Sequence, residues 1–152
     1  EMERAGKLSA IVTQNIDGLH QAAGSKNVFE LHGSVHRNYC QKCGKFFDVN
    51  YVVNAKGVPY CDECGGIIKP DVVLYEEGLD SQTINGAVRA ISKADMLIIG
   101  GTSLVVYPAA GMIDYFKGKY LAVLNRDATS RDKQADLCIT DPIGEVLGRI
   151  RV

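Results

Sequence analysis

The sequence predicts an α/β fold, a Rossmann-like doubly wound parallel sheet with an inserted small four-cysteine module. Short, wholly apolar segments alternate with helix-type patterns along most of the chain, which is typical of parallel strands covered by helices on both faces. The amino-acid composition changes between Val35 and about Pro70, where cysteines, glycines and lysines replace aliphatic residues. We therefore expect residues 1–34 and 71–152 to form the Rossmann-like domain and residues 35–70 to form the module.

The composition excludes several classes of protein. The formal net charge is −1, from 17 basic and 18 acidic residues, so no broad attraction to nucleic acid or anionic lipid is expected. The longest aliphatic stretches, such as Met96–Ile99, are only a few residues long, which is far short of a membrane span. Five cysteines, an odd number without a secretion signal in the chain, argue against a disulfide framework. The expected location is therefore an intracellular, reducing compartment, the cytoplasm.

Three elements are expected before the module. The apolar run Leu8–Thr13 predicts a buried strand, and Val28–Leu31 predicts a second. Between them, Asp17 can cap a short helix over Gly18–Ala23, which Gly24 would end.

After the module, strand-type and helix-type patterns again alternate along the sequence. Strands are expected at Val72–Leu74, Met96–Ile99 and Leu121–Leu124. Pro108 suits the first turn of a helix, and the last helix is expected to begin near Pro142 with Asp141 as its cap. Two helices show an apolar face at helical spacing, formed by Ile84, Ala87, Val88 and Ile91 in one and by Ile143, Val146, Leu147 and Ile150 in the other.

Four cysteines in two C-x2-C pairs predict a zinc site. The 17 residues between Cys43 and Cys61 fit the spacing of a four-cysteine site, whose other ligands are Cys40 and Cys64. Four thiolates complete the tetrahedral shell of Zn2+ and leave no metal-bound water, so the ion would be structural. Gly44 and Gly65 follow the two pairs, where a tight turn is needed. Two redox-active pairs are the weaker alternative, since no thioredoxin-type βαβ unit surrounds them. Cys138, in an apolar segment, is expected to be a packed core thiol.

Polar side chains follow the two strands that precede the module. Gln14, Asn15 and Asp17 come after the first, and His32 comes after the second, beside a glycine. Ligands bind beyond the carboxyl ends of strands in a doubly wound sheet, so these residues can meet a ligand. The alternatives are that Asp17 is only a helix cap, that Asn15 is only a turn residue and that His32 is structural.

A glycine-rich turn and an asparagine follow the next strands. Gly100–Ser103 ends one strand and Asn125 ends another, where backbone and hydroxyl groups can approach a phosphate or a ribose. Polar groups at several strand ends on one side of a sheet indicate a nucleotide cleft. The sequence has no G-x-G phosphate fingerprint. If a dinucleotide binds, its main phosphate loop is therefore expected upstream of Glu1, which opens the chain without a methionine and in the pattern of a helix end.

Five motifs of the chain resemble those of the sirtuins, in the same order and at the same spacing. The match runs from about Leu8 to the end of the chain. The motifs are TQNIDGLH (13–20), ELHGS (30–34), the two C-x2-C pairs, IKPDVVLYEE (68–77) and GTSLVVYPAA (101–110).

The resemblance implies an NAD-dependent protein-lysine deacylase with His32 as general base and Asn15 beside it in the catalytic pocket. In that reaction the acyl oxygen of a modified lysine attacks the ribose carbon as nicotinamide leaves. His32 then takes a proton from a ribose hydroxyl, and that hydroxyl attacks the imidate carbon. After addition of water the products are free lysine, nicotinamide and an O-acyl-ADP-ribose. The implied NAD-binding residues are Gln14, Asn15, Asp17, His32, Gly101, Thr102, Ser103, Asn125 and Asp141.

The implied partner is an acyl-lysine protein or peptide, which would bind as an added strand. The implied contacts are Val73, Tyr75, Glu77, Val106 and Tyr107. One departure from the sirtuin pattern is Glu76, which stands where the family usually has glycine before the glutamate. Its side chain is expected to point to solvent.

Two alternatives remain open at this stage. The first is a catalytically incomplete fragment that acts as a zinc-containing binding module, because the chain as given does not contain the sirtuin segment that would carry the phosphate loop. The second is a zinc-ribbon nucleic-acid module, against which the near-neutral charge argues. The enzyme interpretation requires that the loops carrying Asn15, His32 and Ser103 converge on one crevice.

Overall fold

A computed structural model describes all residues, 1–152. The chain divides into two compact units. The first unit is Ile11–Ile84, and the second is Glu1–Ala10 together with Asn85–Val152. No helix is both long and apolar enough to cross a bilayer. The domain boundaries expected from the sequence stay a prediction.

The first unit opens with two short parallel strands, β1 (Ile11–Thr13) and β2 (Val28–Glu30), joined through α1 (Leu19–Ala22). Their register pairs Thr13 with Glu30, so the ends of both strands lie side by side. Both strands and the helix were expected from the sequence and are present, but β1 has only the last three of its six predicted residues, and α1 and β2 are two residues and one residue shorter than predicted.

The rest of the first unit is an antiparallel sheet. Its strand order is β4-β3-β5. The elements are β3 (Gly33–Cys40), β4 (Phe46–Asp48), α2 (Val49–Val53) and β5 (Ile68–Val72). Cys40, Phe47, Cys61 and Ile68 form a buried cluster against it. The sheet therefore packs directly on the cysteine-bearing turns.

The strand predicted at Val72–Leu74 is wrong for two of its three residues. β5 ends at Val72 and runs antiparallel to β3. The chain turns after Val73, because Glu77 N–H donates to the Leu74 carbonyl and the Glu77 carboxylate accepts from Leu74 N–H. These local hydrogen bonds replace a sheet ladder.

The second unit contains a three-stranded parallel sheet in the order β6-β7-β8. Its strands are β6 (Met96–Gly100), β7 (Tyr120–Leu124) and β8 (Leu137–Ile139). Helical segments are α3 (Ser81–Lys93), within which the division between the units falls, 3-10 turns at Ala109–Tyr115 and Asp132–Gln134, and α4 (Ile143–Gly148). The predicted face of α3 is confirmed at Ala87 and Ile91, which are buried.

Three predictions for the end of the chain are wrong. Cys138 is exposed, because β8 is the edge strand of the sheet and its first two residues are not covered. Its Sγ donates to the Asp132 carbonyl at 3.6 Å. α4 is only six residues long, with Pro142 rather than Asp141 at its N-cap and no side-chain cap. A helix this short covers little surface, and Ile143 and Leu147 of its predicted apolar face remain exposed.

Candidate functional site

The four cysteines of the predicted zinc site lie together. Their Sγ atoms are all within 4.8 Å of one another, with Cys40 and Cys64 at 3.4 Å and Cys43 and Cys61 at 3.7 Å. Soft thiolates in this compact arrangement suit a tetrahedral Zn2+ ion. Four of them complete its shell, so the metal would have a structural role.

Matching turns hold the two cysteine pairs. Gly44 N–H donates to the Cys40 carbonyl and Gly65 N–H to the Cys61 carbonyl, both at 2.9 Å. Both glycines have positive φ, +75° and +67°, a conformation that glycine adopts without strain. Gly66 is a contributor that the spacing alone did not reveal. A β-carbon there would lie 2.8 Å from Cys40 Sγ.

Hydrogen bonds shift the pKa values of two of the cysteine thiols in opposite directions. Backbone N–H groups of Cys43 and Lys42 donate to Cys40 Sγ and lower the pKa of Cys40 to about 6. At Cys43 the N–H of Lys45 lowers the pKa, but the thiols of Cys64 and Cys40 outweigh it and raise the pKa to about 12. A metal ion that binds here would have to displace the remaining thiol protons, because cysteine binds metals as the thiolate.

His32 is half-buried between two backbone contacts. Its Nδ1 lies 3.0 Å from the carbonyl oxygen of Gln14. Its own carbonyl accepts from Val73 N–H at 3.0 Å. The following residue, Gly33, has φ +77° and lies against the backbone of Asp71. Both the ring and the backbone of His32 are therefore held.

The loop after β1 carries Asn15 and Asp17 on the exposed surface. Asn15 N–H donates to Thr13 Oγ1 at 3.1 Å, and Asp17 Oδ1 accepts from Leu19 N–H at 3.0 Å. Asp17 therefore bonds to the first residue of α1, but the N-cap of the helix is Gly18 and not Asp17 as predicted. The Gln14 carbonyl that faces His32 belongs to the same loop. The structure thus brings Gln14 and His32 together.

An ion-pair network adjoins His32. Arg37 NH1 donates to Glu30 at 2.7 Å, and Arg37 Nε donates to Asp71 at 2.8 Å. The Glu30 side chain is only 8% exposed. Burial lowers the pKa of Arg37, but its hydrogen bonds to Glu30 and Asp71 outweigh that effect and the net shift is upward. The network was not predicted, because its members come from three different strands, β2, β3 and β5.

In the second unit, five of the predicted cofactor residues line one cavity of about 430 Å³. They are Gly101, Thr102, Ser103, Asn125 and Asp141. Gly101 has φ +61° and open space on the side where a β-carbon would stand. The cavity also has three polar lining residues that the sequence did not single out, Arg126, Asp127 and Thr140. Each adjoins or lies close to a predicted residue.

Asn125 shapes that cavity. Its Nδ2 donates to the Asp127 carbonyl at 2.8 Å, which fixes the turn after β7. The cavity therefore offers glycine backbone, hydroxyls, an amide and the cation of Arg126, the groups that bind phosphate and ribose.

Four of the five residues predicted to contact a peptide are exposed, and Val73 is half-buried. In the first unit, Tyr75 is fully exposed and Glu77 pairs with Lys69 at 3.2 Å. Hydrogen bonding to Leu74 N–H and to Lys69 lowers the pKa of Glu77. In the second unit, Val106 and Tyr107 are exposed.

Glu76 has φ +71°. This backbone conformation suits the glycine that the family pattern has at this position.

Comparison with known proteins decides the family. The sequence profile of the Sir2 family matches residues 1–108. The chain belongs to the Sir2 family. An NAD-dependent protein deacetylase of Clostridium acetobutylicum is 66% identical over 148 residues, which are 97% of this chain and 60% of that protein. The protein of the same name from Clostridium perfringens is 66% identical over 151 residues, 99% of this chain and 62% of its own. The chain thus spans about three fifths of the length of these Sir2 relatives.

Solved Sir2 structures share the fold. One Sir2 protein, solved with a p53 peptide and NAD+, gives a TM-score of 0.90 at 38% identity, covering 97% of this chain and 64% of that one. Another, solved with 2'-O-acetyl-ADP-ribose, a deacetylated p53 peptide and an inhibitor, gives 0.90 at 40% identity, covering 97% and 65%. The Rossmann-like α/β fold with a four-cysteine module is confirmed.

Proposed function

We propose that the full-length protein is an NAD-dependent protein-lysine deacylase whose products are free lysine, nicotinamide and an O-acyl-ADP-ribose. The Clostridium relatives are named NAD-dependent protein deacetylases. A Sir2 protein was solved with 2'-O-acetyl-ADP-ribose and a deacetylated peptide. These likenesses favour the enzyme over a zinc-containing binding module.

The observation that carries the proposal is the hydrogen bond of His32. A carbonyl oxygen only accepts, so Nδ1, which faces the Gln14 carbonyl at 3.0 Å, carries the hydrogen. The neutral ring then has its lone pair on Nε2. A base with its tautomer fixed in this way can take a proton without a prior rearrangement. We assign to His32 Nε2 the removal of a proton from a ribose hydroxyl.

NAD, when bound, would supply the ribose carbon that loses nicotinamide and receives the acyl oxygen. The donor set around the 430 Å³ cavity fits the phosphate and adenosine side of such a dinucleotide. We assign that side to Gly101, Thr102, Ser103, Asn125 and Asp141. The nicotinamide and ribose side is assigned to Gln14, Asn15, Asp17 and His32, with Asn15 sharing the catalytic role. The convergence of these groups on one crevice stays a prediction.

For the acyl-lysine peptide we propose contacts with Val73, Tyr75, Glu77, Val106 and Tyr107. Tyr75, Val106 and Tyr107 are exposed side chains with large apolar surfaces, which suits them to the side-chain contacts of an added strand.

The four cysteines would hold a structural Zn2+ ion, as their donor chemistry requires. We also propose a reducing compartment, the cytoplasm, because these ligands must be thiolates to bind the metal. Residues 1–34 and 71–152 are proposed as the Rossmann-like domain and 35–70 as the zinc module.

Replacement of the base tests the proposal. In the full-length protein, His32→Ala is expected to lower NAD-dependent deacylation by at least about a hundredfold, the scale of general base catalysis. Mass spectrometry of an acetyl-lysine peptide with NAD measures the turnover. Equal melting temperature and zinc content in variant and wild type would show an intact fold. Wild-type turnover in the variant would refute the assignment.

A further inference from the structure

Strand β3 is interrupted beside His32. Ser34 pairs with Asp71 of β5, and Asn38 pairs with Pro70. Between these two pairs β3 advances by four residues while β5 advances by one. Residues 35–37 therefore have no partner in the β3–β5 ladder. We call residues 35–37 the β3 bulge. Bulges of this kind redirect side chains and are common beside active sites.

Two buried polar side chains hold the β3 bulge. Ser34 and Asn38 are 2% and 1% exposed. Ser34 Oγ accepts from His36 N–H at 3.2 Å, and Asn38 Nδ2 donates to the Val35 carbonyl at 3.1 Å. Buried polar groups are costly unless they are hydrogen-bonded. The bulge is therefore a fixed conformation with its own internal supports.

One side of the β3 bulge contacts the loop of Asn15 and Asp17. Val35 N–H donates to the Ile16 carbonyl at 3.0 Å. His36 Nε2 lies 2.9 Å from the Asp17 carbonyl, so Nε2 must carry a hydrogen and donate it. The His36 ring rests on Gly18, where a β-carbon would lie 2.7 Å from the ring.

The other side contacts the segment of His32. Arg37 donates to Glu30, two residues before His32, and to Asp71, whose backbone lies against Gly33. One guanidinium thus ties the chain before His32 to the strand that borders the chain after it. Charge-assisted hydrogen bonds from a planar guanidinium are strong and directional.

We propose that the β3 bulge is a positioning segment for the reaction, in which Arg37 positions His32 and His36 positions the loop of Asp17. This inference rests on the proposed function. Neither residue is assigned a contact with reacting atoms, so both are positioning residues rather than catalytic ones. The two side chains point to different loops, and their removal should affect different steps.

For Arg37→Gln in the full-length protein, the expected defect is in proton transfer. Deacylation kcat falls about ten- to hundredfold, because small misplacements of a base are costly. Exchange of labelled nicotinamide into NAD, which in the proposed order precedes the action of His32, stays at the wild-type rate. Arg37→Lys keeps the positive charge but not the planar guanidinium that donates to both Glu30 and Asp71. This variant should therefore show a smaller fall in deacylation kcat than Arg37→Gln, but not wild-type kcat.

For His36→Phe, the ring remains against Gly18 but the donor to the Asp17 carbonyl is lost. The expected defect is a several-fold rise in KM for NAD, in both exchange and deacylation, with little change in deacylation kcat. A merely structural role would instead lower both activities in proportion to the loss of folded protein.

A spectroscopic measurement tests the Arg37 assignment without any turnover. In 15N-labelled full-length protein, the NMR signals of the His32 ring should report a single Nδ1–H tautomer. In Arg37→Gln they should report a mixture of both tautomers. Arg149→Gln is the matched control, since Arg149 is exposed and forms only a 3.7 Å pair with Glu145. The control should keep wild-type kinetics and one tautomer.

The outcomes separate the two proposals. Absence of NAD-dependent turnover in the wild type refutes the proposed function, while the tautomer measurement still decides the role of Arg37. Wild-type kcat and a single tautomer in Arg37→Gln overturn the inference, as does an equal fall of exchange and deacylation. If Arg37→Gln does not fold, Glu30→Gln removes the same ion pair at the buried end and is held to the same expectations.

Discussion

Gly33 shows at the residue scale how closely two strands approach beside the candidate base. A β-carbon at Gly33 would lie 1.8 Å from the carbonyl oxygen of Asp71, and its φ is +77°. Neither β3 nor β5 can take up a side chain here, because the obstructing atom is backbone rather than the tip of a flexible side chain. The glycine after His32 is therefore a requirement of the fold, whatever the chemistry.

Gly33→Ala is accordingly expected to destabilise the protein by roughly 3 kcal/mol or more, by forcing β3 and β5 apart and straining φ. Gly57→Ala is the matched control. Gly57 also has positive φ, +92°, but nothing lies within 4 Å of its β-carbon position, so only about 1–2 kcal/mol of backbone strain is expected. Urea unfolding of both variants measures the difference. Equal losses would show that the close approach of β3 and β5 is not what excludes a side chain.

At the scale of elements, the antiparallel sheet of the first unit packs against the four-cysteine site. Cys40 and Cys61 are part of the buried cluster that also contains Phe47 and Ile68. That cluster has few apolar members, so little hydrophobic burial would remain to hold β3, β4 and β5 together if the cysteines were not bridged by an ion.

Cys61→Ser is expected to release the proposed zinc and to lower the melting temperature markedly, since a hydroxyl is a poor substitute for a thiolate ligand. Cys138→Ser is the control, because Cys138 is exposed and lies in β8 of the other unit. Zinc per chain, measured by atomic emission, should fall only in Cys61→Ser. An unchanged metal content in that variant would rule out the four-thiolate site.

The start of α3 provides a pH-dependent contribution to stability. The Asp80 carboxylate accepts from Thr83 N–H at 2.7 Å and from its hydroxyl at 2.8 Å. These hydrogen bonds, the backbone one first, lower the pKa of Asp80. A carboxyl whose pKa is lowered on folding stabilises the folded state above its unfolded pKa and loses this effect as pH falls through the folded pKa.

Asp80→Ala should therefore lower the melting temperature by about 2–6 °C at pH 7, the range for a lost helix cap. The difference in melting temperature between wild type and Asp80→Ala should narrow once the pH falls below about 4, near the ordinary pKa of Asp. Asp80→Asn keeps a capping oxygen that does not titrate. The difference in melting temperature between Asp80→Asn and Asp80→Ala should therefore not vary with pH. Thermal melts from pH 7 to pH 3 measure all three proteins. A constant gap between wild type and Asp80→Ala would show that the carboxylate does not act as the cap.

Elements were predictable where the local pattern alone determines them. β6 and β7 are continuous aliphatic runs, and α3 has a clear apolar face. Cys138 and α4 were misjudged, because an edge strand and a short helix leave apolar residues exposed that a pattern assigns to the core. β5 was misplaced, because hydrogen bonds of Glu77 end it early.

At the scale of the whole molecule, some parts of the candidate site could be predicted from the sequence and others could not. The cysteine set followed from spacing, and four of the cavity residues, Gly101, Thr102, Ser103 and Asn125, followed from positions at strand ends. Asp141 was implied only by the resemblance to the sirtuins. The Arg37 network and the β3 bulge could not be predicted, since residues 30, 37 and 71 meet only after β3 has paired with β5. Contacts between residues far apart in sequence carry no local signature. The supports of a site are therefore harder to predict than its reactive groups.

The proposed reaction makes one prediction for the protein as a whole. If the acyl oxygen of the substrate is the group that displaces nicotinamide, NAD alone should be stable in the presence of the enzyme. Full-length protein should release nicotinamide with an acetyl-lysine peptide and not with the unmodified peptide, which lacks the nucleophile. The amounts of nicotinamide, deacetylated peptide and O-acetyl-ADP-ribose, followed by mass spectrometry, should rise together in a one-to-one ratio. Equal nicotinamide release with both peptides would mean that water is the acceptor, and the protein would then be an NAD hydrolase.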